Sequence, residues 1–214
     1  MPFAVVARPF YARDPRTVAP ELLGKLLVHD DPSGARRSGR IVEVEAYCGS
    51  ADPGSHAYRG ETARNRTMFG PPGHLYVYFT YGMHWCANVV TGDPGESGEG
   101  LAVLVRALAP VDGIPSMQAA RPAARRVRDL CNGPGKLCQA LGLDRSFDGA
   151  DLVTANQGIW IADDGTPPPA TPFQTTRIGL SAGAEHPWRW CVPGDPHVSG
   201  PARLRGAPTP VPGP

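Results

Sequence analysis

Gly39-Arg40-Ile41-Val42-Glu43-Val44-Glu45-Ala46-Tyr47 alternates β-branched residues with carboxylates, the pattern of a strand that carries Glu43 and Glu45 on one face. Two acids on one strand face require either a counter-charge or a chemical task. A loop rich in Gly, Ser, His and Arg follows from Asp52 to Gly73 and holds His56 and Arg64-Asn65-Arg66. Leu75-Tyr76-Val77-Tyr78-Phe79-Thr80-Tyr81-Gly82-Met83-His84-Trp85-Cys86-Ala87-Asn88 then predicts two strands joined by a tight turn at Tyr81-Gly82. Carboxylates, aromatic rings and arginines gathered in one stretch suit the handling of a nucleobase.

Outward from this stretch, the rest of the chain reads as scaffold. On the N-terminal side, Asp14 to Gly24 predicts a short helix capped by Asp14 or Thr17, with Pro20 confined to its first turn. Leu26-Leu27-Val28-His29 is a strand, and the turn residues from Asp30 to Ser38 pair it antiparallel with the strand at Ile41. Beyond the hairpin, Thr91 to Gly100 is a glycine-rich acidic surface loop. Leu101 to Ala107 is an apolar strand whose Arg106 needs an anionic partner, with Glu43 and Glu45 as candidates.

Ile114 to Asp129 reads as a helix interrupted by Pro122, and its arginines 121, 125, 126 and 128 suit either a solvated face or phosphate contact. In Cys131-Asn132-Gly133-Pro134-Gly135-Lys136, glycines precede a lysine at a helix start, where free N–H groups and the helix dipole favour a phosphate. The spacing is not that of a P-loop. Ile159-Trp160-Ile161 and Trp188 to Val192 are the last strands, and Arg177-Ile178-Gly179 permits close backbone approach to a ligand. The pattern predicts an α+β fold: a mixed, largely antiparallel curved sheet flanked by helices, with a protruding hairpin. Residues 1–205 are expected to form one domain, and 206–214 a disordered Pro/Gly-rich tail.

Composition narrows the function classes. The 214 residues carry a net charge of +1, so no global field announces a polyanionic partner. Lys25 and Lys136 are the only lysines, which leaves few amines for covalent chemistry. Five scattered cysteines without a C-x-x-C pair indicate reduced thiols rather than a disulfide framework or zinc ribbon, and His56, His74 and His84 show no metal-ligand spacing. No apolar run spans a bilayer or forms a signal peptide, so a soluble cytoplasmic protein is expected, with neither metal nor cofactor.

Glu43 and Glu45 would lie roughly 6 to 7 Å apart, a separation used by carboxylate pairs that activate water against an oxocarbenium-like sugar. The plainer alternative is that both acids only form salt bridges with Arg40, Arg64, Arg66 or Arg106. Tyr76, Tyr78 and Tyr81 could all be core, but a tyrosine at a hairpin tip cannot easily reach its own core. Such a ring suits insertion into a duplex beside an extruded nucleotide.

The segments quoted above, with Ser55-His56-Ala57-Tyr58-Arg59-Gly60, Met68-Phe69, Leu104 to Pro110 and Leu130 to Leu141, closely resemble the alkyladenine (3-methyladenine) DNA glycosylase family of the mammalian type. The resemblance runs from about Phe10 to Ser199. It implies a monofunctional enzyme, expected to be a monomer, that flips alkylated or deaminated purines out of double-stranded DNA and hydrolyses the glycosidic bond to leave an abasic site. Glu45 matches the general base for water, Arg106 the arginine that helps hold that water, and Ile178 a residue whose carbonyl contacts it. Tyr47, His56 and Tyr78 match the slot for the flipped base, Asn88 a residue that discriminates against guanine, and Tyr81 the intercalating tyrosine. Arg64, Gly133, Lys136 and Gly179 are expected at the DNA backbone, and association with nucleoid DNA follows. Ile178 stands where valine is frequent and Trp190 where phenylalanine is common; the tail has no counterpart.

Two other readings compete. Pro2, freed by methionine removal, could attack the sugar as an amine in a bifunctional glycosylase/lyase. A non-enzymatic module could instead use the hairpin and arginines to bind damaged duplex without releasing a base.

Overall fold

The computed structural model describes residues 4–32, 34–92 and 98–200. Pro2, residues 93–97 of the glycine-rich loop, the expected domain boundary at Arg205 and the tail lie outside the described residues.

The sheet is assembled on β3 (Arg36–Cys48), longer than the predicted strand at both ends. One edge of β3 pairs with β2 (Leu26–Asp30) along its first half and with β9 (Arg189–Cys191) along its second. The other edge follows β6 (Leu101–Asp112). Beyond β6 lie β5 (His84–Val90) and β4 (Leu75–Thr80), and beyond β2 lie β7 (Ile159–Asp163) and β1 (Ala4–Val5). A short β8 (Phe173–Thr175), which no run of apolar residues signals, flanks β9. Among the described residues, every pairing in this nine-stranded sheet is antiparallel.

The helices are α1 (Arg8–Tyr11), α2 (Pro15–Leu22), α3 (Ile114–Ala120) and α4 (Pro134–Leu141). Asp14 caps α2, its carboxylate accepting from Arg16 N–H at 2.7 Å. Pro20 consequently sits inside α2 rather than in its first turn, and the Arg16 carbonyl loses its helical donor. The helix expected to reach Asp129 ends at Ala120, because Pro122 disfavours helical geometry at Arg121; only a 3₁₀ turn, Val127–Asp129, follows.

One sheet face packs Ile41, Val44, Val105 and Leu108 against Leu22 of α2, Met117 of α3 and Leu137 of α4. Strict alternation would put Ile41 and Val44 on opposite faces. The register between β3 and β6 slips at Val42 and again at Arg106, so both Ile41 and Val44 enter the core. These paired bulges leave Glu43, Glu45, Leu104 and Arg106 to the other face, between two neighbouring strands.

Candidate active site

On that second face, Glu45, Leu104, Asn88 and Tyr76 stand opposite one another in turn, a row that crosses β3, β6, β5 and β4. Leu104, Asn88 and Tyr76 of this row floor a cavity of about 510 Å³, and Glu45, fully buried, lies behind its wall. Its walls include Tyr47, His56, Tyr78, Arg106 and Ile178, with Gly133 and Lys136 of the α4 N-terminus on one side and Tyr81 at the mouth.

The two acids, alike in sequence, have different surroundings. Both are wholly buried. Glu43 Oε1 accepts from Arg106 Nε at 3.0 Å, Arg189 Nε at 2.6 Å and the Ser199 hydroxyl at 2.9 Å, and its Oε2 accepts from Ser199 N–H at 2.6 Å. Four donors reach this carboxylate, three of them on Oε1, and of the residues that supply them only Arg106 lines the cavity. Burial alone would raise its pKa; Arg106, Arg189 and the Ser199 N–H outweigh that and hold it below the ordinary glutamate value.

Glu45 keeps a position open. Its Oε1 accepts from Ile178 N–H at 2.8 Å, and its Oε2 from the Tyr47 hydroxyl at 2.9 Å and Arg106 Nη1 at 3.1 Å. Three donors leave roughly one of four acceptor positions unfilled, and the residues that supply the donors form the cavity wall. Burial and then the neighbouring Glu45 charge push the Tyr47 phenol well above its usual pKa, so it stays protonated and donates. Burial would lower the pKa of Arg106, but Glu45 and Glu43 outweigh it, and the guanidinium stays charged.

Aromatic rings crowd the opposite side. Tyr76 and Tyr78 stack at 5.4 Å between centroids, and His56 meets Tyr78 edge-on at 4.4 Å. His56 Nδ1 lies 3.1 Å from the Tyr76 hydroxyl, and burial followed by the Arg64 charge lowers its pKa, which favours a neutral imidazole. Asn65 staples the His56 loop by donating to the carbonyls of His56 at 2.9 Å and Gly60 at 3.1 Å. Asn88 donates to the Tyr76 carbonyl at 3.2 Å, which fixes its amide on the floor.

Tyr81 is 79 % exposed and Met83 69 %, so the predicted hairpin tip projects its side chains into solvent. Tyr81 and Gly82 both have positive φ, 50° and 66°, as a type I′ turn demands. Gly179 approaches the tip: a Cβ built on it would lie 4.0 Å from the Tyr81 hydroxyl. Arg64 is not on the wall; it donates to the Phe79 carbonyl at 2.9 Å and so braces the hairpin from outside.

Residues 9–196 match the family model described as methylpurine-DNA glycosylase (MPG). The chain belongs to the methylpurine-DNA glycosylase family. Relatives named, provisionally, as 3-methyladenine DNA glycosylases occur in Burkholderia lata, 54% identical over 95% of both chains, and in Streptomyces avermitilis, 47% identical over 91% of this chain and 90% of the relative. A relative named in the same way, from Methanoculleus marisnigri, is 48% identical over 89% of this chain and 96% of its own.

Some residues of this family member's site carry no local signal in the sequence. Asp52 and Arg177 form a wholly buried ion pair behind Tyr47. Arg121, one of four arginines in its segment, reaches the wall because its guanidinium is held by the carbonyls of Asp129 and Leu130. Ser199 was visible only as the end of the family resemblance. Among the described residues, no group of three or more His, Cys, Asp or Glu side chains is gathered about one point, all five cysteines are free, and no helix is long and apolar enough to cross a membrane.

Proposed function

We propose that this protein is a monofunctional DNA glycosylase of base excision repair. It hydrolyses the N-glycosidic bond of alkylated or deaminated purines flipped out of double-stranded DNA. The observation that carries the reading is the unfilled acceptor position of Glu45, next to a cavity walled by aromatic rings.

Water bound at that position gives its proton to Glu45 as its oxygen bonds to the sugar C1′, and the base leaves with the electron pair of the broken bond. The carboxylate also stabilises the oxocarbenium-like sugar. Arg106 and the Ile178 N–H orient the carboxylate, and the Ile178 carbonyl is a second contact for the water. Tyr47, His56 and Tyr78 form the slot for the extruded base, while Asn88 opposes guanine. Tyr81 fills the gap in the duplex, where a stacked aromatic is worth about 1–3 kcal/mol. Arg64, Gly133, Lys136 and Gly179 contact the DNA backbone. The protein acts as a cytoplasmic monomer on nucleoid DNA.

The test is single-turnover release of hypoxanthine or ethenoadenine from duplex DNA by wild type and Glu45→Gln. Loss of release with retained binding is expected; equal rates would reject the assignment. Binding of damage without release by the wild type would instead favour a non-enzymatic module.

A further inference from the structure

Tyr47 has a charged residue at its back. The Arg177 guanidinium lies 4.7 Å from the Tyr47 ring centroid and 5.1 Å from that of Trp188, with its side chain fully buried. Arg177 does not line the cavity and Tyr47 does, so the ring separates this cation from whatever occupies the slot. Arg177 Nη2 donates to Asp52 Oδ1 at 2.7 Å and to the Gly183 carbonyl at 2.9 Å, and Nη1 to the Ala46 carbonyl at 3.0 Å. Asp52 also accepts from the backbone N–H groups of Gly54 at 2.9 Å and Cys48 at 3.2 Å. Its carboxylate is thus held rigidly against the guanidinium.

This arrangement bears on the charge of the base. An N-alkylated purine nucleotide can carry a formal positive charge, whereas a deaminated or etheno-bridged purine is neutral. A cationic base stacked on the front of Tyr47 would lie roughly 8 Å from the Arg177 charge. At the dielectric typical of such sites, an unopposed pair at that distance would disfavour binding by an order of magnitude or more. The Asp52 carboxylate cancels most of that field.

We propose that Asp52, acting through Arg177, is a positioning residue that sets the charge preference of the slot. By neutralising the cation behind Tyr47 it permits positively charged bases to stack on the other side. The proposal rests on the glycosylase reading and assigns that site's tolerance of charge to a residue that never touches the base.

The experiment measures equilibrium binding to duplexes whose damaged nucleotide carries a 2′-fluoro sugar, which disfavours the oxocarbenium cation and blocks hydrolysis. One duplex contains 7-methylguanine, cationic, and the other 1,N6-ethenoadenine, neutral. In Asp52→Asn, which keeps the shape and one acceptor, the affinity ratio of cationic to neutral duplex should fall on the order of tenfold relative to wild type. Equal weakening of both would show a merely structural role and overturn the proposal. The double variant Asp52→Asn with Arg177→Gln removes both charges and should bring the ratio back to within about twofold of wild type, whatever its absolute affinity. A ratio that stays low there would also overturn it. Failure of the wild type to release bases from unfluorinated duplex would count against the glycosylase reading instead.

Discussion

The Ile178 N–H donates to Glu45 Oε1 at 2.8 Å although the two residues are 133 positions apart in the chain. This bond ties the loop after β8 to the sheet and sets the carboxylate directly behind the cavity wall that Tyr47, Arg106 and Ile178 form. Glu43, two residues earlier on β3, is tied in the same way to Ser199, which does not line the cavity.

The contrast predicts opposite phenotypes for the two acids. Glu45→Gln should reduce single-turnover base release by a factor of about 10² to 10⁴, the range of a general base, with little change in affinity for damaged duplex.

Glu43→Gln should act first on stability. It removes one of the two carboxylates on buried Arg106 and an anionic partner of buried Arg189, and losing one partner of a buried pair costs about 3–5 kcal/mol. The folded pKa of Glu43 is lowered, so its contribution is fully present above the unfolded glutamate value of about 4.3 and is lost as pH falls through the folded value. Denaturant midpoints of wild type and variant should therefore differ most at neutral pH and converge below about pH 4. A gap that persists at low pH would show that geometry, not charge, is what Glu43 supplies.

Tyr81→Ala removes a side chain that is 79 % exposed, so thermal stability should stay within about 0.5 kcal/mol of wild type. Affinity for duplex containing ethenoadenine should fall roughly tenfold or more, the loss of one base–aromatic stack. An unchanged affinity would remove Tyr81 from the DNA interface.

Gly135 and His84 form a tighter contact than any side chain on Gly135 would allow: a Cβ there would lie 2.9 Å from His84 Cβ and Cγ. Gly135→Ala should push the tip end of the hairpin, where His84 pairs with Thr80, away from α4 and weaken DNA binding severalfold. His84→Ala should have a small effect alone and largely rescue Gly135→Ala, a non-additive cycle read by duplex affinity. Simple additivity would show that hairpin and helix are not coupled.

Lys136 is exposed at the cavity rim, with its ammonium 2.7 Å from Asn132 Oδ1. Lys136→Ala should weaken binding to damaged and undamaged duplex alike and make the slope of log affinity against log salt shallower by about 0.9. A loss confined to damaged DNA would place Lys136 in base recognition instead.

How much of this was legible in the residues depends on how local the cause is. The strand at Ile41 to Tyr47, the tip at Tyr81-Gly82 and the start of α4 follow from side-chain alternation, positive φ at glycine and the missing N–H of Pro134, all effects of near neighbours. The family resemblance added the order of the site residues along the chain. What alternation cannot supply is register: the slips at Val42 and Arg106 exist because β3 and β6 pair, and they let Ile41 and Leu108 enter the same core as Val44 and Val105 while Glu43, Glu45 and Arg106 stay on the other face. Nor can local pattern tell two glutamates on one strand apart. Ser199, away from the cavity, binds the first and Ile178, a wall residue, binds the second, through contacts spanning 156 and 133 residues. Which of the two carboxylates stands next to the cavity wall is therefore a product of chain closure, since the donors that reach a buried carboxylate are settled only when distant segments fold against it.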